Sequence, residues 1–299
     1  MKKAIIIIPA ILLVFAFMSC ERNKSMSSGI EIAESEVLGL TLAEASAEDD
    51  HSASMEPPGT FRMFGMMGPG KGPGMGQGRH HLPDCADISE SGEEYPREII
   101  IDYGEGCEDW RGNIKTGKII INISDDMKEE GATKAVTYKN YTVRGNEISG
   151  SRTVINKGTN DEGNWIIESQ SEMVINKVAE GVKIIRTSNA TREWLTGFET
   201  AEKSDDSFKI TGTGSITQNG NVTFSREILV PLLIDRSSCR FILSGQVELT
   251  NEDGTILINF GDGTCDNTAT VTKEDGTTEE IDLTKCKRRG RSKNKIGSE

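Results

Sequence analysis

Trp165-Ile166-Ile167-Glu168-Ser169-Gln170-Ser171-Glu172-Met173-Val174-Ile175 places Trp165, Ile167, Ser169, Ser171, Met173 and Ile175 on one side of an extended chain and Ile166, Glu168, Gln170, Glu172 and Val174 on the other. A period of two held over that length is a strand signal. Similar runs cover Lys118 to Ile123, Ala135 to Val143, Val182 to Leu195, Phe208 to Ile216, Val222 to Leu233, Phe241 to Leu249 and Ile256 to Phe260. Between them stand Asn219-Gly220, Asp253-Gly254 and Asp275-Gly276. These pairs reach φ > 0 at little steric cost, which tight hairpins require. No stretch of this region keeps a helical period. The expectation is an all-β domain over residues 83–285, an antiparallel meander forming a curved sheet, half-barrel or sandwich, of a size that one domain can have.

An internal echo frames the domain. Ile99-Ile100-Ile101-Asp102-Tyr103-Gly104-Glu105-Gly106-Cys107 is matched by Ile256-Leu257-Ile258-Asn259-Phe260-Gly261-Asp262-Gly263-Thr264-Cys265, with one threonine inserted. Each is an apolar strand running into an aromatic, Gly-acid-Gly and a cysteine. The glycines permit a sharp turn and the aromatic caps a core. Two copies so far apart indicate similar hairpins near opposite ends of one sheet system.

The N-terminus has a different character. Lys2 and Lys3 precede an apolar run from Ala4 to Met18, then Ser19-Cys20 and the polar Glu21-Arg22-Asn23-Lys24. This is the layout of a secretory signal peptide over residues 1–19, and the run is short for a membrane span and contains Pro9. Phe17-Met18-Ser19-Cys20 resembles a lipobox, matching at Ser19 and Cys20 and departing at Phe17 and Met18. That resemblance implies a diacylglycerol thioether on Cys20 and anchoring by two or more fatty-acid chains of the palmitate kind, each buried CH₂ contributing about 0.8 kcal/mol. Glu21 is not the aspartate that often retains lipoproteins at the inner membrane, so the expected location is the cell envelope at the outer membrane. Residues 20–82 read as a disordered tether, Gly-, Met- and Pro-rich from Met55 to His81, with too little apolar surface to offset its ordering entropy. Ile30 to Ala47 has the Leu, Ala and Glu content of a transient helix.

Loss of Lys2 and Lys3 with the leader takes the formal charge from −13 to −15. Such a body has no basis for binding nucleic acid, which needs clustered Lys and Arg. The exception is a basic tail over 286–299, where Lys287, Arg288, Arg289, Arg291, Lys293 and Lys295 follow Lys285. It reads as a solvated end, or as a contact for anionic head groups or surface polysaccharide.

The histidine positions narrow the chemistry. His51, His80 and His81 all fall in the tether, so the β domain holds no Ser-His-Asp, Cys-His or His-ligated zinc site. Carboxylate chemistry alone stays open, no pair of acids stands out, and the expectation is a non-enzyme with no cofactor. Asp262, Thr264 and Asp266 alternate as calcium ligands do, but an EF-hand count from Asp262 meets Asn267 at its sixth place and Lys273 at its twelfth. Phe260-Gly261-Asp262-Gly263-Thr264 resembles a turn of the Ig-like PKD modules, yet Ile258 replaces the usual tryptophan and the downstream His-x-Tyr is missing. Met63, Met66, Met67 and Met75 with His80 and His81 have the softness Cu(I) selects, against plain low complexity. Trp110, Trp165 and Trp194 are sugar-stacking candidates, against a place in the core.

With Cys20 acylated, Cys85, Cys107, Cys239, Cys265 and Cys286 are left in a compartment where disulfides form. Cys85 lies 22 residues before Cys107, and Cys239 lies 26 before Cys265. The repeat therefore pairs Cys85 with Cys107 and Cys239 with Cys265, leaving Cys286 over; Cys265 with Cys286 is the rival.

Lipobox, Gly-rich tether, Asp102-Tyr103-Gly104-Glu105-Gly106-Cys107 and Phe260-Gly261-Asp262-Gly263-Thr264-Cys265-Asp266 together resemble a group of uncharacterised Gram-negative envelope lipoproteins, over about residues 95 to 285. The resemblance implies location and fold, and carries no catalytic residue. The leading functional expectation is a non-enzymatic, membrane-anchored protein that binds a ligand or partner on a β-sheet face. Lipid, glycan or an envelope protein are its candidate partners. Half-barrel lipoprotein carriers, whose concave side holds acyl chains, supply a fold-level analogy for the lipid version. The alternatives are a surface glycan-binding module and a structural envelope protein contacting polysaccharide.

Overall fold

Residues 83, 85–109, 112–200 and 202–283 are described by a computed structural model. The leader, Cys20, the tether up to residue 82, Trp110, Cys286 and the basic tail lie outside the described residues. Within them the chain forms fourteen strands: β1 (Asp87–Glu90), β2 (Arg97–Asp102), β3 (Cys107–Glu108), β4 (Ile114–Ile123), β5 (Thr133–Val143), β6 (Asn146–Thr159), β7 (Trp165–Lys177), β8 (Val182–Thr196), β9 (Ser207–Gln218), β10 (Asn221–Asp235), β11 (Ser244–Asn251), β12 (Gly254–Asp262), β13 (Thr268–Lys273) and β14 (Thr278–Asp282). One 3₁₀ turn, Lys203–Asp205, interrupts them.

Every strand pairs antiparallel with the next along the sheet, in the order of the chain. Only β3 leaves the path, continuing the line of β2 along the lower part of β4, where Cys107 faces Lys115. The result is a single meander sheet. It stays open, since no ladder joins β1 to β14, and of the three expected shapes the two-sheet sandwich is not formed.

The two ends of the strands differ. At one end the chain turns in tight hairpins, such as Arg144-Gly145 between β5 and β6 and Asn219-Gly220 between β9 and β10. Asn219 has φ 51° and Gly220 φ 90°, the left-handed pair that a two-residue hairpin matched to strand twist demands. Asn219 Oδ1 also accepts from the Lys183 backbone N–H at 2.9 Å, tying this hairpin to β8. At the other end the connections are longer. The β4–β5 loop turns Met127 and Ala132 into the core, each 2% exposed. It is pinned by fully buried Asn156, whose Nδ2 donates to Met127 O at 3.0 Å and whose Oδ1 accepts from Gly158 N at 2.8 Å. Lys128 Nζ donates to Glu199 O at 2.8 Å, fastening this loop to the β8–β9 loop.

Register assigns the faces. Ile99, Ile121, Val136 and Arg152 are successive cross-strand partners, so they share one side of the sheet. On this side lie the buried apolar residues of both wings, among them Ile99, Ile123, Val247, Leu249, Ile258, Val271 and Ile281, all members of one core. No helix longer than one turn exists among the described residues to cover them. Their burial therefore requires the sheet to curl, so that its inner face packs against itself.

The outer face is polar and carries carboxylates held in their charged form. Glu193 accepts from Asn164 Nδ2 at 2.8 Å and Asn160 Nδ2 at 3.0 Å, which pins the β6–β7 turn to β8. These bonds, Asn164 foremost, hold its carboxyl below the ordinary glutamate range, assisted by Lys209. Asp102 is lowered by Lys118 and Asp235 by Ser237 in the same way. A carboxyl with a lowered folded-state pKa stabilises the fold above its unfolded value, roughly 4, and loses that contribution as pH falls through the folded value. Urea midpoints should therefore be flat from pH 8 to 5 and decline steadily below about pH 4. Glu193→Gln should shallow that decline.

Phe208 is fully buried. Phe208→Ala should lower the unfolding free energy by about 3–5 kcal/mol, whereas Val222→Ala, at a residue 67% exposed, should change it by less than about 0.5 kcal/mol. Equal effects in urea denaturation would contradict the self-covered core.

Candidate functional site

The central strands β6 to β10 run from 12 to 15 residues, longer than any strand of the wings. Their inner face can be read row by row. Nearest the long loops, Trp165, Trp194, Phe208 and Ile234 stand side by side. Phe198 closes this row from the loop, its ring 4.8 Å from Trp165 and 5.7 Å from Trp194, while Trp194 lies 4.9 Å from Phe208. The next row is Asn156, Ile167, Arg192, Ile210 and Leu232. Arg192 lays its guanidinium 4.4 Å from the Phe208 ring centroid and 5.6 Å from that of Trp194, a cation–π contact that makes it part of the plug.

Beyond this plug the side chains shrink. Val154, Ser169, Ala190 and Gly212 form one row, and Arg152, Ser171, Ser188, Gly214 and Arg226 the next. Gly150, Met173, Arg186, Ile216 and Phe224 follow. Burial changes with the rows. Ile167, Trp194, Phe208 and Ile210 are buried, Ser169, Ser171, Ser188, Ala190, Gly212 and Gly214 are only half-buried, and Arg186 is exposed. The inner face is thus buried at the long-loop end and mostly half-buried from its middle toward the hairpins, with Phe224 buried among the last rows.

The open part has a one-sided charge. On the inner face of β6 to β10 stand Arg152, Arg186, Arg192 and Arg226, with no aspartate or glutamate. The outer face of the same strands holds Glu147, Glu168, Glu172, Glu193 and Glu227. Arg152 and Arg226 flank Ser188 in one row, two strands away on either side, and Arg186 is two residues from Ser188 on β8. With strands about 4.8 Å apart and residues about 3.4 Å along each, Arg186 has its Cα roughly 12 Å from those of the other two. The three surround a floor of Ser171, Ser188 and Gly214. A Cβ added at Gly214 would lie 3.4 Å from Arg226 Nη2, so that guanidinium rests against the floor. Sequence reading gave no warning of this trio, because its members are spread over residues 152 to 226 and only the register of five strands brings them together.

The other candidates fall out as follows. Cys85 and Cys107 are at disulfide distance with Cα atoms 5.6 Å apart, and so are Cys239 and Cys265, also at 5.6 Å. The first pair ties the segment before β1 to β3 at the hairpin end. The second joins the β10–β11 and β12–β13 loops at the long-loop end. Asp262 Oδ1 accepts from Thr264 N at 3.1 Å and Asp266 Oδ1 from Thr268 N at 2.9 Å, so both carboxylates cap their own turns. Among the described residues no three His, Cys, Asp or Glu are grouped to hold a metal. Trp194 is 3% exposed and half-buried Trp165 stacks on Phe198, which makes both part of the plug. Trp110, the Met/His copper candidate and the tail residues lie outside the described residues.

Comparison with protein-family models, with curated proteins and with solved structures gives no match.

Closing loops of 22 and 26 residues stabilises by about 3–4 kcal/mol each in the chain-entropy model. Peptide mapping without reductant should recover both pairs, and Cys239→Ser should lower the urea midpoint. Recovery of a Cys265–Cys286 peptide would overturn the pairing.

Proposed function

We propose that this chain is a non-enzymatic, membrane-anchored envelope lipoprotein whose β domain binds a ligand or partner on the open inner face of β6 to β10. The supporting observation is that this stretch of face is half-buried, is floored by small side chains and carries Arg152, Arg186 and Arg226. A solvated strand surface of no further use would mix both signs, as the outer face does with Glu168 beside Lys157 and Glu193 beside Lys209.

The apolar rows nearest the long loops form a core, and the half-buried part beyond them carries serines and arginines together with Met173, Ile175, Ile184 and Ile216. The glycan reading loses Trp165 and Trp194 as stacking platforms. Attachment rests on Cys20 and its lipobox, with the outer membrane as the proposed site.

Two measurements test this. Metabolic labelling with a fatty acid should mark the parent chain and not Cys20→Ala, and only the parent should stay with membranes in high salt; equal retention of both would remove the lipid anchor. Pull-down from native envelope, with and without residues 285–299, should capture the same partner if the inner face does the binding. Capture that vanishes with the tail would assign the contact to the tail instead.

A further inference from the structure

We infer that the hairpin end of β6 to β10 is a second membrane contact, at which Val178 and Val222 enter the head-group region of an anionic bilayer while Arg144, Lys177, Lys183 and Arg186 meet its phosphates. Ile114, at the same end of β4, extends the contact. The inference rests on the membrane-anchored reading above and adds to it the way the β domain faces the lipid surface.

Three observations carry it. The first is where large apolar side chains are exposed. Ile114 is 56% exposed, Val178 63% and Val222 67%. All three stand at the hairpin end, at the start of β4, in the β7–β8 turn and near the start of β10. Leu229 and Val230, also exposed, are neighbours in the irregular middle of β10. Single exposed residues are ordinary, but Val178 and Val222 stand on strand ends that are apolar on both sides. Val174, Ile185, Thr217 and Val222 lie side by side on the outer face, and Ile148, Ile175 and Ile184 on the inner face. An antiparallel sheet with water on one side alternates apolar with polar, as β7 does farther along, where Glu168, Gln170 and Glu172 face outward.

The second observation is charge. The chain has a formal charge of −13, yet residues 144–150, 173–186 and 216–222, which make up this end of β6 to β10, carry Arg144, Lys177, Lys183 and Arg186 against Glu147 and Glu180. Both acids are engaged locally, Glu180 with Lys177 at 3.1 Å and Glu147 as acceptor from Asn176 Nδ2 at 3.3 Å. Arg144, Lys183 and Arg186 are exposed. Long basic side chains around apolar tips keep their charge among lipid phosphates while their stems cover the apolar layer. An apolar protein surface would meet the tips alone, whereas an anionic bilayer meets the tips and the cations together.

The third is where the chain joins the domain. Cys85 is held to Cys107, which faces Lys115 one residue from Ile114, so residues 20–82 reach the β domain at its hairpin end. The link from Cys20 therefore meets the domain at the end that carries the apolar tips. Anchoring makes insertion of those tips an intramolecular event, so a contact too weak to hold a free domain still orients a tethered one.

The test uses the full mature chain with Cys20→Ala, so that no acyl group contributes, sedimented with vesicles of mixed phosphatidylethanolamine and phosphatidylglycerol and with vesicles of phosphatidylcholine alone. Binding to the anionic vesicles is expected, weaker on phosphatidylcholine and as salt rises. Val178→Asp combined with Val222→Asp, both at exposed positions, should weaken it roughly tenfold or more. Lys183→Gln combined with Arg186→Gln should weaken it by about tenfold to thirtyfold. Leu229→Asp with Val230→Asp, which adds the same charge away from the hairpin end, should change nothing. Val178→Trp should lose fluorescence to brominated phospholipid, and Leu229→Trp should not. Absence of binding to the anionic vesicles would overturn the inference, as would binding that survives Val178→Asp with Val222→Asp, whether or not it disappears when residues 285–299 are removed. The anchor fails separately: vesicle binding by this chain alongside a parent that takes up no fatty acid would remove the anchor and keep the contact, and a labelled parent with no vesicle binding by this chain would do the reverse.

Discussion

A meander sheet with no helix laid across it has one apolar face and nothing but itself to bury that face against. This constraint explains more of the molecule than any single contact. Ile99 on β2 and Ile281 on β14 are 1% and 3% exposed although each lies next to an edge or on one, and the burial comes from the inner faces of the wings and centre meeting as the sheet curls. The long loops gather where those faces meet, with Asn156 satisfying Met127 O and Gly158 N in a place where orphaned backbone groups would cost about 1–3 kcal/mol apiece. The two cysteine pairs hold opposite ends of the strands, and each has one buried member, Cys107 at 1% exposure and Cys239 at 4%.

The fold was legible in the sequence where a strand repeats its alternation with strong residues. The run from Trp165 to Ile175 reads correctly, including the face on which Trp165, Ile167 and Met173 stand. Residues 146–159 were passed over, because Gly150, Ser151, Asn156 and Gly158 leave β6 little apolar signal of its own; it is a strand because β5 and β7 supply its ladder on both sides. The hairpin at Arg144-Gly145 has φ 54° and 75° but lacks the Asn or Asp that marks such turns. β13 and β14 are six and five residues long, too short for periodicity to speak. In the opposite direction, the apolar run from Phe241 was read as strand, yet β11 starts only at Ser244. Phe241, Ile242 and Leu243 fill the loop held by Cys239, with Ile242 and Leu243 buried beneath it.

The candidate site was illegible for a different reason. Periodicity tells which residues of one strand share a face, and it does so for Arg186 with Ser188, but it does not tell which residue of the next strand lies opposite. That information is in the register, and in this sheet register is shifted by irregularities between Thr137 and Tyr141 and between Glu227 and Leu232. The second is what aligns Arg226 with Gly214 while Leu232 faces Ile210. Counting back from Leu232 without it would set Thr213 or Gly214 opposite Ile228 or Leu229 and leave Arg226 in a different row.

Smallness on the inner face has two causes, and they can be separated. At Gly212 a Cβ would meet Asn189 O at 2.1 Å, and at Gly150 it would meet Glu172 O at 2.1 Å, so those glycines are required by the approach of neighbouring backbones. They would be glycine in a sheet that bound nothing. Ser171, Ser188 and Ala190 occupy strand positions, where valine and isoleucine are the residue types that favour a pleated, half-buried surface. Their small size leaves apolar contacts unmade in the longest strands of the protein, in the rows between Arg152 and Arg226. The core of the central strands thus gives way, between Arg152 and Arg226, to half-buried rows of small side chains.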